Sequence, residues 1–267
     1  MRLISNAVAG FANHVLTSPP DDKLPTVTAI GAGNCQDIDL TALAVSFREI
    51  RLIDLDAMAV EAAVSQLATD ITSQIRIFAP IDIAAPLMSL SGIDGFDAAR
   101  RSELLAALES SSFQNEVPVS DVVISTCLLS QLLDSASQIA PPESPIFLPL
   151  IQAVRRGHLV RLLSLTAAAG RALLITDLVS SDTVPDLANT SPAELPKLML
   201  RCLQSGNFFS GLNPAVVQHD IQHVPACVQL CATSRILPPW HCWEKERRKE
   251  KERGRSVPGS KPVWNRE

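Results

Sequence analysis

The stretch Thr26-Val27-Thr28-Ala29-Ile30-Gly31-Ala32-Gly33-Asn34-Cys35, followed by an amphipathic segment and then by Ile50-Arg51-Leu52-Ile53-Asp54-Leu55-Asp56, decides the fold. Its opening residues are apolar or β-branched and read as a buried strand. Gly31 and Gly33 flank a tight turn. The second apolar run closes on an acid. Strand, glycine turn, helix, strand, acid is the layout of a nucleotide-binding βαβ unit. Glycines let the backbone approach a ligand closely, and a carboxylate about 20 residues beyond the turn can accept from two ribose hydroxyls.

Working outward, the same alternation repeats. Ala7–Leu16 reads as a short helix closed by the break Ser18-Pro19-Pro20. A helix is expected over Ile38–Ser46, with Asp37 or Asp39 at its positive end. The alanine-rich segment Met58–Asp70 predicts a helix packing through Ala59, Ala62, Ala63 and Leu67, with Asp56 as its N-cap. Ile75–Phe78 reads as a third strand, Phe96–Ser110 as a helix and Asp121–Thr126 as a fourth strand buried on both faces. Leu128–Ala140 returns as a helix, and Phe147–Ala169 predicts a long helix with Arg155, Arg156 and Arg161 on its wet face. Gly170 is placed as that helix's cap and Arg171–Thr176 as a fifth strand. Ser180–Ile236 reads as helices and loops inserted over one end of the sheet. This order predicts an α/β three-layer sandwich, Rossmann-like, with a mainly parallel, doubly wound sheet. One domain is expected over residues 1–240 and a charged, disordered tail over 241–267.

Bulk properties narrow the function. Among 267 residues 46% are hydrophobic, enough for a sizeable core, and the net charge of −5 gives no general attraction for phosphate backbones. The acids and bases of Glu244–Arg253 interleave without an aromatic platform, so nucleic acid is an unlikely partner. No apolar run is long enough to span a membrane. The N-terminus lacks a secretory pattern, and the 6 scattered cysteines do not read as a disulfide framework, so a cytoplasmic location is expected.

With these residues in place, the chain resembles the class I S-adenosylmethionine-dependent methyltransferases over Pro25–Thr176. The glycine turn is similar to that family's loop, Ile50–Asp54 to its second strand and acid, Ile81-Asp82-Ile83 to its adenine-contacting segment, and Asp121–Ser125 and Gly170–Ile175 to its fourth and fifth strands. The resemblance implies S-adenosyl-L-methionine as cofactor, held by Gly31, Gly33, Asn34, Asp54, Asp82 and Ser125. Asp54 would take the ribose hydroxyls and Asp82 the adenine amino group, while Ser125 would face the cofactor or the incoming nucleophile. The catalytic residue and the methyl acceptor are unknown at this stage. Ala29 stands where the family often has an acid, and Cys35 where it has a third glycine. These departures motivate the alternative of a catalytically inactive, methyltransferase-like binding or interaction protein. A nicotinamide dehydrogenase is disfavoured because the pyrophosphate needs that third close approach.

Three further features are weighed. Cys127 reads as a small buried residue at a strand end. His219, His223, Cys227 and Cys231 recur every four residues, which suits zinc by residue type, but Pro225 breaks the helix between the pairs. Surface histidines and buried cysteines are the favoured reading there, and no metal site is expected. Trp240 and Trp243 are read as pinning the chain end to the domain.

Overall fold

The computed structural model describes residues 24–227, apart from 91, 111–115, 182 and 226. The described residues divide into two compact units, one formed by 24–177 and 210–227, the other by 178–209.

The first unit is built on a five-stranded sheet in the order β3-β2-β1-β4-β5, every pair parallel. Its strands are β1 (Thr26–Ile30), β2 (Glu49–Ile53), β3 (Ile75–Phe78), β4 (Ser120–Thr126) and β5 (Thr166–Ile175). The helices between them are α1 (Leu40–Ser46), α2 (Ala57–Val64), α3 (Thr69–Thr72), α4 (Ala85–Met88), α5 (Ala98–Ser110), α6 (Leu128–Ile139) and α7 (Phe147–Ser164). Parallel strands need crossovers, and right-handed crossovers on either side of β1 send the flanking helices to opposite faces. The fold is therefore α/β, with a doubly wound parallel sheet. No helix among the described residues is long and apolar enough to cross a membrane.

β1 is buried along its whole length, as are the inner residues of β2 and β4. Several polar side chains inside this core are paired. Arg51 donates from Nη1 to the carbonyls of Pro118 and Val119 and to Ser120 Oγ, at 2.8, 2.9 and 3.1 Å. Ser120 Oγ in turn lies 2.6 Å from Thr28 Oγ1. At the start of the sheet, Asp121 Oδ2 accepts from both the backbone and the hydroxyl of Thr26, at 2.7 and 2.9 Å.

Several expected elements are redrawn. The helix expected from Met58 to Asp70 ends at Val64, where the Ser65 hydroxyl and the Gln66 amide both donate to the Ala62 carbonyl. It packs through Val60, and Ala62 is exposed. Asp56 is its N-cap as expected, accepting from Ala59 N at 2.9 Å, and Asp39 caps α1 in the same way.

The larger correction concerns Gly170. The long helix stops at Ser164, and Thr166 already pairs with Ser120 in the sheet. Gly170 therefore lies inside β5, at a register shift opposite the Ser120–Val122 step. A Cβ on Gly170 would stand 2.6 Å from the Asp121 carbonyl oxygen, so glycine answers a close approach at a bulge. The alanine run favours helix by propensity, but sheet pairing overrides it.

α5 packs along α7, and the crossing is tight at Gly157. A Cβ there would sit 2.3 Å from the backbone oxygen of Leu108. Gly157→Ala is expected to destabilise the fold by about 1–3 kcal/mol, because a backbone oxygen cannot swing aside. A urea midpoint within error of the wild type would refute this crossing.

The second unit carries a short 3-10 turn (Pro185–Asn189) and helix α8 (Leu195–Ser205). Val184, Leu195, Leu198 and Cys202 form its core, and Phe209 N donates to the Leu178 carbonyl at 2.9 Å, bringing its ends together. Helix α9 (Pro214–His223) belongs to the first unit.

Candidate nucleoside site

In a doubly wound sheet the switch in strand order opens a crevice at the carboxyl ends of the strands. Here that place lies between β1 and β4. Gly31 leaves β1 with φ +74° and Gly33 follows with φ +51°, both left-handed. A Cβ on Gly31 would come within 3.1 Å of Leu128 Cβ, so the turn lies directly against the start of α6. Two bonds fix it from below: Gly31 N donates to the Ile53 carbonyl at 3.0 Å, and Thr126 Oγ1 donates to the Gly31 carbonyl at 2.9 Å.

Asp54 follows β2 and holds this turn. Its Oδ2 accepts from Gly33 N at 2.7 Å, and its Oδ1 accepts from Asp56 N at 2.9 Å. A carboxylate offers about four lone-pair positions, so each oxygen retains one. Asp54 is half-buried. Cys35, also left-handed at φ +55°, is buried behind the turn. Burial, reinforced by the Asp54 carboxylate, pushes its thiol up to about 11, so it stays protonated and unreactive near neutral pH.

The remaining residues expected at the site fall in different places. Asn34 is exposed on the turn, its Oδ1 3.3 Å from Gln36 N. Asp82 is exposed beyond β3, and its Oδ1 accepts from Ala84 N at 2.8 Å, leaving its other oxygen open. The Ile81 N–H donates to the Asp54 carbonyl at 2.9 Å, which ties the Asp82 segment to the end of β2. Ser125 does not face the crevice. It is fully buried, and its hydroxyl lies 2.8 Å from His158 Nε2 on α7. Its place on β4 turns it toward the covering helix, where a strand-end position alone suggested the opening.

Cys127 is half-buried rather than buried. It takes the left-handed conformation at φ +51° as β4 passes into α6, and its Sγ lies 3.7 Å from Asp177 Oδ1. Thr126 and His158 are the residues a sequence reading passes over. A threonine ending a strand beside a glycine turn is a weak signal for the first. The second sits in an apolar helix and gives none. The helix expected over 7–16, Cys231 and the tryptophans at 240 and 243 lie outside the described residues, as does the expected tail.

The residues suit the nucleoside end of S-adenosylmethionine better than its amino-acid end. Asp54 has acceptor positions for a vicinal diol, and Asp82 has one for an exocyclic amine. Gly33 N–H, which a ligand carboxylate would need, is already given to Asp54. Ala29, at the position where an acid could hold an ammonium, is completely buried.

No family model matches the sequence, and no curated protein matches it. Among solved structures, the chain is similar to the glycopeptide N-methyltransferase MtfA complexed with (S)-adenosyl-L-methionine, at 12% identity and a TM-score of 0.28. The alignment covers 69% of this chain and 58% of that one, so the chain spans little more than half of that structure's length. No family follows from these comparisons.

Proposed function

We propose that the chain is an S-adenosylmethionine-dependent methyltransferase acting on an unidentified acceptor. The observation that carries this is the Asp54 carboxylate, set at the carboxyl end of β2 against the Gly31–Gly33 turn and holding free acceptor positions. Asp54 would hold the ribose hydroxyls, and Asp82 the adenine amine. Gly31 and Gly33 keep the turn free of side chains where the nucleoside would lie. When bound, the cofactor supplies an electrophilic sulfonium methyl. The protein's part is then alignment of the acceptor and exclusion of water, which need no catalytic side chain of recognisable type.

A dinucleotide is a poorer fit. Its pyrophosphate sits at the N-terminus of the first helix, where unpaired N–H groups face it. Here α1 starts well after the glycine turn, and the Asp39 carboxylate already caps it through Ala42 N at 3.0 Å. An acid at that position repels phosphate.

Titration of the full chain with S-adenosylhomocysteine tests the reading. The wild type is expected to bind, and Asp54→Ala to bind at least about 100-fold more weakly, since hydrogen bonds to a charged group are each worth roughly 1.5–3 kcal/mol. Melting curves on both proteins separate lost binding from lost folding. Equal affinity in the two would sink the assignment of Asp54.

A second reading is a fold-retaining protein that does not catalyse. The commitment of Gly33 N–H to Asp54 and the burial of Ser125 on His158 favour it. It predicts a normal melt and a silent titration with both S-adenosylhomocysteine and NADH.

A further inference from the structure

The glycine turn is held from two sides. Toward β2, Gly31 N and Ala32 N both donate to the Ile53 carbonyl, at 3.0 and 3.2 Å. Toward β4, the Gly31 carbonyl accepts from Thr126 Oγ1 at 2.9 Å. Thr126 is the last residue of its strand and only 5% exposed. Its hydroxyl has one proton, and that proton goes to Gly31. We propose that Thr126 is a positioning residue for the cofactor, fixing the glycine turn that holds the Asp54 carboxylate in place for the ribose. The role rests on the methyltransferase reading and needs no contact between Thr126 and the ligand.

The link runs through two successive peptide planes. The first joins Gly31 to Ala32. Its oxygen is held by Thr126 of β4 and its N–H by Ile53 of β2, so it is fixed at both ends. The second joins Ala32 to Gly33, and its N–H donates to Asp54 Oδ2 at 2.7 Å. A hydroxyl on β4 and a carboxylate after β2 are thereby connected across the switch in strand order. The turn needs such fixing. Gly31, Gly33 and Cys35 are all left-handed, at φ +74°, +51° and +55°. Glycine has no side chain to anchor it, and a left-handed cysteine persists only where its surroundings over-determine it. With the Thr126 hydroxyl gone, the first plane is free to rotate. The second then carries its N–H away from Asp54, which keeps only the bond from Asp56 N. Valine at this position preserves the shape of threonine and leaves the Gly31 carbonyl without its donor, whereas serine preserves the hydroxyl.

Calorimetric titration of the full chain with S-adenosylhomocysteine provides the test, with melting curves to report the fold. Thr126→Val and Thr126→Ala both remove the hydroxyl at different bulk, so one folded variant suffices. Each is expected to bind about tenfold more weakly than the wild type, the worth of one hydrogen bond, and Thr126→Ser to bind within about twofold of it. In an Asp54→Asn background the same valine should cost less than about threefold, because Thr126 acts through that carboxylate. Amide hydrogen exchange at Gly33, measured without ligand, should quicken in Thr126→Val and stay at the wild-type rate in Thr126→Ser. Full affinity in a folded valine or alanine variant would overturn the role of Thr126 and leave the cofactor reading standing. A serine variant as weak as valine, or an undiminished loss on Asp54→Asn, would overturn it in favour of packing alone. Gly33 exchange indifferent to valine would remove the link to Asp54. A wild type that binds nothing would sink the methyltransferase reading itself, and with it any cofactor role for Thr126.

Discussion

Replacing Asp220 with alanine is expected to destabilise the first unit by about 3–5 kcal/mol, the cost of leaving a buried charge without its partner. Asp220 on α9 and Arg155 on α7 are only 1% and 2% exposed. Arg155 Nε reaches Asp220 Oδ2 at 2.7 Å, and Arg155 Nη1 donates to the Gly211 carbonyl at 3.0 Å. Arg156 approaches the other carboxylate oxygen at 3.4 Å and Glu109 on α5 at the same distance. Without Asp220, a guanidinium remains in a low-dielectric site with a single carbonyl to satisfy it. Urea unfolding should show a lower midpoint with an unchanged slope. The double replacement Arg155→Met with Asp220→Leu removes both charges and should recover most of the loss. A single-variant loss below about 1 kcal/mol would mean that water reaches the pair, contrary to its burial.

Acid should act on the fold through His158. Burial first, and the Arg161 guanidinium second, lower its pKa to about 3 from the ordinary 6.5. The unfolded chain therefore takes up a proton on this side chain as pH falls below about 6.5, while the native chain stays neutral until about 3. The contribution is whole above the upper value and is lost as pH falls through the window. The loss runs at more than about 1 kcal/mol for each pH unit. His158→Gln keeps an amide near the Ser125 hydroxyl and cannot titrate. Unfolding free energy measured from pH 7 to pH 4 should fall more steeply in the wild type than in His158→Gln. Parallel curves would show that His158 is not held neutral.

How far the sequence anticipates this molecule depends on which force decides each element. The parallel sheet is legible because strands buried on both faces must be written in nearly unbroken apolar residues, as Val27–Ile30 and Val122–Ile124 are. Asp54 is legible because it follows such a strand at a fixed distance from the glycines. The wet face assigned to Arg155 and Arg161 is wrong for a related reason. Charge normally marks solvent, yet both lie at 2% exposure on α7, and the acid that neutralises Arg155 comes from a segment 65 positions later. No local pattern encodes that meeting. The same holds for Ser125, whose orientation is set by the histidine packed over it, and for Gly170, where the pairing partner rather than the alanine run chooses the conformation.

β4 carries a burden that its plain sequence hides. Ser120 engages Arg51, Asp121 holds Thr26, Ser125 meets His158 and Thr126 clamps Gly31. Each of these side chains fixes a neighbour rather than its own strand. Tolerance to substitution across the chain should therefore be lopsided. Alleles altering this one strand would disturb the mouth of the crevice, the foot of the sheet and the helix above it together, while equally drastic changes at Met58 or Ala62 on the exposed face of α2 would go unnoticed. A saturation library scored for folded protein would trace β4 as a narrow line of intolerance through the molecule.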